Sequence, residues 1–182
     1  GNDVLGDTRL RSFGGNINAA LFNTWEAGAI EADDIRVLQT RGALGADVNV
    51  FSGHDSALTL VTGDTLSGNV THNLDIRGII VRGGDVTGDI NAYSLSRLVV
   101  SRGGIRDANI TVTTDIGLIV TGDEIANANL AARDMNAVIV RSGDVTAQLQ
   151  ARSLARLLVS TGSIRNSNIN VTNLLRDVMT GE

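Results

Sequence analysis

A repeat of about twenty residues constrains this chain more than any single residue does. From Ile90 the apolar anchors run Ile90, Ile110, Leu130, Leu149 and Ile169, spaced 20, 20, 19 and 20. Two residues after each anchor stands a small apolar residue: Ala92, Val112, Ala132, Ala151 and Val171. A second column reads Val100, Val120, Val140, Val159 and Met179, preceded at two residues by Leu98, Leu118, Val138 and Leu157. Glycine closes each unit at Gly103, Gly122, Gly143, Gly162 and Gly181. A fixed period this short is the sequence signature of a solenoid, in which each repeat buries its apolar face only against its neighbours.

The repeat unit is built from strands. Apolar residues alternate within each unit, as in Ile90 and Ala92 or Leu98 and Val100, and period two is the strand signal. The runs are short and rich in Ile, Val and Thr, which strands favour. Glycine punctuates the turns. A helical repeat needs about 33 residues or more. The composition agrees with a narrow tube. Hydrophobic residues are 42% of the chain and aromatic residues only 3%, so aliphatic side chains must fill the interior. Glycine occurs 21 times and proline never.

The expected fold is therefore all-β: one parallel β-helix domain of about eight coils, right-handed in preference to left-handed. The earlier anchors are Ile30, Val48 and Val70, and the regular coils are expected over residues 30–182. Residues 1–29 read as an irregular N-terminal cap or first coil. There, Gly15-Asn16-Ile17-Asn18-Ala19 nearly repeats Gly88-Asp89-Ile90-Asn91-Ala92. Leu21, Phe22 and Trp25 would share one face of a short helix. Phe13, Phe22 and Trp25 are read as a cap or a candidate assembly surface. Val171, Leu174 and Met179 form the matching candidate at the other end, where the final coil carries no polar stop.

The residue before each anchor forms its own column: Asp47, Asn69, Asp89, Asn109, Asn129, Gln148 and Asn168. Asn and Asp side chains bond nearby backbone and suit turns. Stacked coil upon coil, amides can also bond one another as a structural ladder.

Composition and motifs exclude several chemistries. With no cysteine, disulfides and thiolate metal sites are impossible. The net charge of -5 gives no basic footprint for nucleic acid. No apolar run is long enough for a helical membrane span. All 15 basic residues are arginine. An acidic column of Asp64, Asp85, Asp123 or Glu124, and Asp144 lapses in other coils and supplies only a partial shell for a hard cation. His72 falls at an inward position and is read as a packed core residue. Ser52, His54 and Asp55 are adjacent, but no nucleophile-elbow motif accompanies them. The pairs Arg106-Asp107, Arg133-Asp134 and Arg176-Asp177 read as surface ion pairs. No catalytic residue, cofactor site or metal site is assigned, and the chain is read as a non-enzyme.

The units from Gly88-Asp89-Ile90-Asn91-Ala92 to Val100-Ser101-Arg102-Gly103-Gly104 resemble the β-helix repeats of large bacterial secreted and surface proteins. They are also similar to bactofilins, cytoskeletal β-helices that polymerise end to end. The first resemblance implies a rigid module of a surface, adhesive or fibrous protein, outside the cell. Its partners would be further copies or neighbouring domains met through the coil ends. The alternatives are a carbohydrate-binding or carbohydrate-cleaving β-helix, with polysaccharide as the ligand, and a cytoplasmic bactofilin-like filament subunit.

Overall fold

The computed structural model describes residues 3–51 and 57–181. Strands make up 72% of it, and it contains no helix. The chain winds as a parallel β-solenoid of about nine turns. The first coil holds β1 (Val4–Ile17) and β2 (Ala20–Phe22), and the second β3 (Trp25–Ile35) and β4 (Val37–Thr40). The third holds β5 (Asp47–Val50) and β6 (Leu58–Thr62). The fourth and fifth are carried by β7 (Val70–Val81) and β8 (Ile90–Val100). Next come β9 (Ile105–Arg106), β10 (Asn109–Val112) and β11 (Asp115–Thr121). The last three coils are carried by β12 (Ile125–Val140), β13 (Val145–Val159) and β14 (Asn168–Thr180). The anchor strands stack in the order β1, β3, β5, β7, β8, β10, β12, β13, β14, so each coil bonds the next along the axis.

Register shows why the period exists. The anchors Leu10, Ile30, Val48, Val70, Ile90, Ile110, Leu130, Leu149 and Ile169 lie on one line of paired positions. Those from Ile30 to Leu149 are completely buried. This line begins at Leu10, so there are nine coils rather than eight. Ile17, which the sequence placed as an anchor, pairs instead with Ile35 in another column. Residues 4–17 form a strand of the first coil whose pairing is irregular between Val4 and Asp7 and between Ser12 and Asn16, and Leu21 and Phe22 lie in strand β2 rather than on a helix.

The second expected column needs correction as well. Val100 pairs with Thr121, Thr121 with Val140, Val140 with Val159, and Val159 with Thr180. Val120 and Met179 sit one position off this line and pair with Val99 and Leu158. Leu118 likewise faces outward, while Ile119 lies in the core column with Leu98 and Val138. The cause is a corner of variable length. Ile110 to Ile116 takes six steps where Ile90 to Leu95 takes five, and the next corner recovers the residue. Ile169 to Leu175 repeats the insertion. A one-residue slip turns every later side chain to the opposite face. Met179 is 45% exposed, as are the other large apolar residues of the last coil, whereas Val120, covered by coils on both sides, is buried.

A further inward column is single-file: Trp25, Leu44, Leu66, Val86, Ile105, Ile125, Val145 and Ile164 bridge from coil to coil. With the others it completes one continuous aliphatic core. The glycine column reflects close stacking. A Cβ on Gly63 would lie 1.6 Å from the Arg41 carbonyl oxygen of the preceding coil, so no larger residue fits there.

Candidate interaction surfaces

The polar column before the anchors runs along the outside of the anchor strands. In its first half it is a chain of side-chain to backbone bonds. Asn69 N–H donates to Asp47 Oδ1 at 2.8 Å, Asp89 N–H to Asn69 Oδ1 at 2.9 Å, and Asn109 N–H to Asp89 Oδ1 at 2.8 Å. Only Asn109 Nδ2, donating to Asp89 Oδ1 at 3.1 Å, adds a bond between side chains. The chain of bonds stops at Asn129. Its N–H donates to the Ala108 carbonyl at 3.0 Å, and its Oδ1 is buried without a partner. Asn127, at φ 50°, reshapes the corner just before it. Gln148 and Asn168 continue the column by register alone.

The N-terminal end differs from the expected surface. Trp25 is 2% exposed, donates its Nε1–H to the Ala27 carbonyl at 2.8 Å, and meets Phe22 edge-on at a centroid distance of 4.7 Å. It belongs to the core, and Phe22 is half-buried beside it. Phe13 alone of the three is exposed. At the other end Leu174 and Met179 are exposed and Val171 is half-buried. The sequence reading missed Leu175, which stands with Val178 in core columns over Leu154 and Leu157. They are 47% and 43% exposed, whereas Leu154 and Leu157 are fully buried.

The acidic column is organised by arginine. Arg106 Nε donates to Asp85 Oδ2 at 3.0 Å, its NH2 to Asp123 Oδ2 at 2.9 Å, and its NH1 to Glu124. Desolvation opposes the charge of Arg106, but Asp85, Glu124 and Asp123 outweigh it and hold the guanidinium above its ordinary value. Asp107, its sequence neighbour, is not its partner. Arg165 pairs with Asp144, and Arg133 and Arg152 share Asp134. Arg133 also reaches Asp115, while Arg9 and Arg11 lie against Glu31. These six arginines carry every ion pair among the described residues. The remaining nine, Arg176 included, form none there. Among the described residues no three His, Asp or Glu side chains are grouped to hold a metal ion.

His72 lies between Val50 and Ala92 in the core and is 1% exposed. Its Nδ1 accepts the Leu74 N–H at 3.0 Å, and its Nε2 is buried without a partner. Burial lowers its pKa, against the opposing pull of Asp34 and Asp75. Ser52, His54 and Asp55 lie outside the described residues.

A shallow groove of about 440 Å³ on the last coils is lined by residues that include Ala131, Ala151, Arg133 and Arg152. No helix among the described residues is long and apolar enough to cross a membrane. The chain matches no protein-family model, no curated protein and no solved structure, so its own geometry has to carry the functional argument.

Proposed function

We propose that this chain is a rigid, non-catalytic module of a bacterial surface, adhesive or fibrous protein, and that it assembles through the ends of its coil stack. The observation that supports this is the exposure of Leu175 and Val178 in columns that are fully buried one coil earlier. A sheet edge with free backbone groups and apolar side chains is a template for another strand. Along the sides of the stack every coil already has its neighbours, so the outermost coils are where pairing is open to a further copy or to a neighbouring domain of a longer chain. Stacking of one copy's β14 on the β1 of the next would extend all core columns and give an open fibre; pairing of like ends would close as a dimer.

Sedimentation velocity over a wide concentration range tests the reading. The protein is expected to associate reversibly, and Leu175→Asp with Val178→Asp is expected to hold it monomeric without unfolding it. A wild-type protein that stays strictly monomeric at every concentration overturns end assembly. The groove beside Arg133 and Arg152 supports a second reading, a polysaccharide-binding side wall. Retention of the protein on an insoluble glycan, lost in Arg133→Ala with Arg152→Ala, would favour it.

A further inference from the structure

One outer row of this solenoid is apolar where the alternation of a strand calls for polar residues. It runs from Val61 through Ile80, Val99, Val120, Ile139 and Leu158 to Met179, each paired with the next in register. The strands that carry it read as unbroken apolar triplets: Ile79-Ile80-Val81, Leu98-Val99-Val100, Val138-Ile139-Val140 and Leu157-Leu158-Val159. Such runs belong to strands covered on both faces. Here one face is the core and the other meets only solvent.

The margins of the row carry the second observation. Arg77, Arg97, Arg156 and Arg176 lie on one side, one or two residues before the inward Ile79, Leu98, Leu157 and Val178. Arg82, Arg102 and Arg141 lie on the other side, just past the inward Val81, Val100 and Val140. All seven belong to the nine arginines without an ion pair among the described residues, and the paired six lie elsewhere. The Arg97 stem lies flat across the neighbouring coil, with Nε 2.9 Å from where a Cβ on Gly78 would stand. Asp177 lies beside the row on the first side, and Asp64 and Asp123 on the second, two residues past the inward Thr62 and Thr121, with Asp123 already held by Arg106. A dimple of about 220 Å³ opens between Arg156, Arg176 and Asp177. A chain of net charge -5 thus gathers its uncompensated cations along one apolar line.

We propose that this side of the rod is a docking surface for an acidic amphipathic helix of a partner protein, lying along the rod axis. Charge complementarity selects the occupant. A second copy would set arginine against arginine. Single-stranded nucleic acid needs aromatic rings for its bases, and the row has none. A bilayer needs apolar groups that protrude. This row protrudes little before its last coil: Val120 is buried, Val61, Ile80, Val99, Ile139 and Leu158 are half-buried, Met179 alone is exposed, and long arginine side chains rim it. An apolar floor with cationic rims fits an apolar crest with acidic shoulders. The pitch agrees. Coils stack about 4.8 Å apart, and one helical step of three residues rises about 4.5 Å. The row is about 29 Å long, which a helix of about 20 residues spans. The surface lies on the side of the rod and is independent of assembly through the ends.

The test uses a synthetic helix of about 20 residues, with leucine along one stripe and glutamate on both margins, read by fluorescence anisotropy against the whole protein. It is expected to bind, and more weakly as salt is raised. Arg97→Glu with Arg156→Glu should weaken binding about tenfold or more. Ile139→Ser, an outward position that spares the core, should weaken it as well while the far-UV spectrum is unchanged. The same helix with lysine margins should not bind. Equal binding of the lysine helix, no binding of the glutamate helix, or sedimentation with phosphatidylserine vesicles in the absence of peptide binding overturns the proposal.

Discussion

The backbone N–H of Asp89 donates to Oδ1 of Asn69 at 2.9 Å, so a side chain of one coil holds the backbone of the next. Asp47 does the same for Asn69, and Asp89 for Asn109. Three successive coil boundaries are fixed in this way. Asn69→Leu removes the acceptor and is expected to cost about 1 kcal/mol. In a chain of this size that lowers the melting temperature by about 2–4 °C. Asn69→Asp keeps the acceptor and should retain most of the stability. Equal losses in the two variants would mean that the column contributes shape rather than hydrogen bonds.

Leu130 tests the core. It pairs with Ile110 and Leu149 and is fully buried in the middle of the stack. Leu130→Ala should cost about 2–5 kcal/mol, measured by urea unfolding. Met179, one position off its column and exposed, should tolerate alanine with a change of less than about 0.5 kcal/mol. The contrast separates a middle coil, covered on both sides, from the last coil, where side chains of core columns such as Leu175 are exposed as well.

How much was legible in the sequence follows from the geometry of the corners. The anchor column was legible because its two inward residues, such as Ile90 and Ala92, recur at near-constant spacing and are aliphatic in the regular coils, His72 excepted. The second column failed at Val120 and Met179. An insertion in one corner is cancelled in the next, so the length of the coil does not betray it. The apolar triplets hid the slip further: in Leu118-Ile119-Val120 either phase of the alternation offers apolar residues to the core. The single-file column through Leu66, Val86 and Ile105 was just as periodic, yet each member stands alone between turn residues and shows no alternation. Leu10 was missed because Asn16-Ile17 imitates the anchor motif, and only pairing with β3 sets the two apart. Of the surfaces, the hydrogen-bonded column was visible as letters. The partition of arginines into paired and unpaired sets was not, because most of their partners are about 20 residues away: Arg106 bonds Asp85 rather than Asp107.

The Arg106 cluster should respond to salt. Arg106→Gln leaves Asp85, Asp123 and Glu124 facing one another across adjacent coils. All four side chains are a third exposed or so, and the expected loss is about 1 kcal/mol at low ionic strength. Repulsion between carboxylates is screened within about 3 Å at 1 M salt, so the deficit should shrink as sodium chloride is added. A deficit that does not respond to salt would assign the loss to packing of the arginine stem.

His72 should make the middle coils sensitive to acid. In the unfolded chain its pKa is the ordinary 6.5, and in the fold burial lowers it, with Asp34 and Asp75 opposing. Between the two values the unfolded chain binds more protons than the folded one, so stability rises with pH. The contribution is complete above about 6.5 and is lost as the pH falls through that value toward the folded pKa. Structurally, the added proton would place a charge in a column that Val50 and Ala92 otherwise fill. The proton would go to Nδ1, which accepts the Leu74 N–H, and would break that bond. His72→Val removes the titrating group while matching its neighbour in shape. Urea midpoints measured at pH 7.5 and pH 5.5 should fall for the wild type and fall less for His72→Val. If both proteins lose the same stability over that interval, the acid sensitivity belongs to the carboxylates of the outer face and His72 stays neutral throughout.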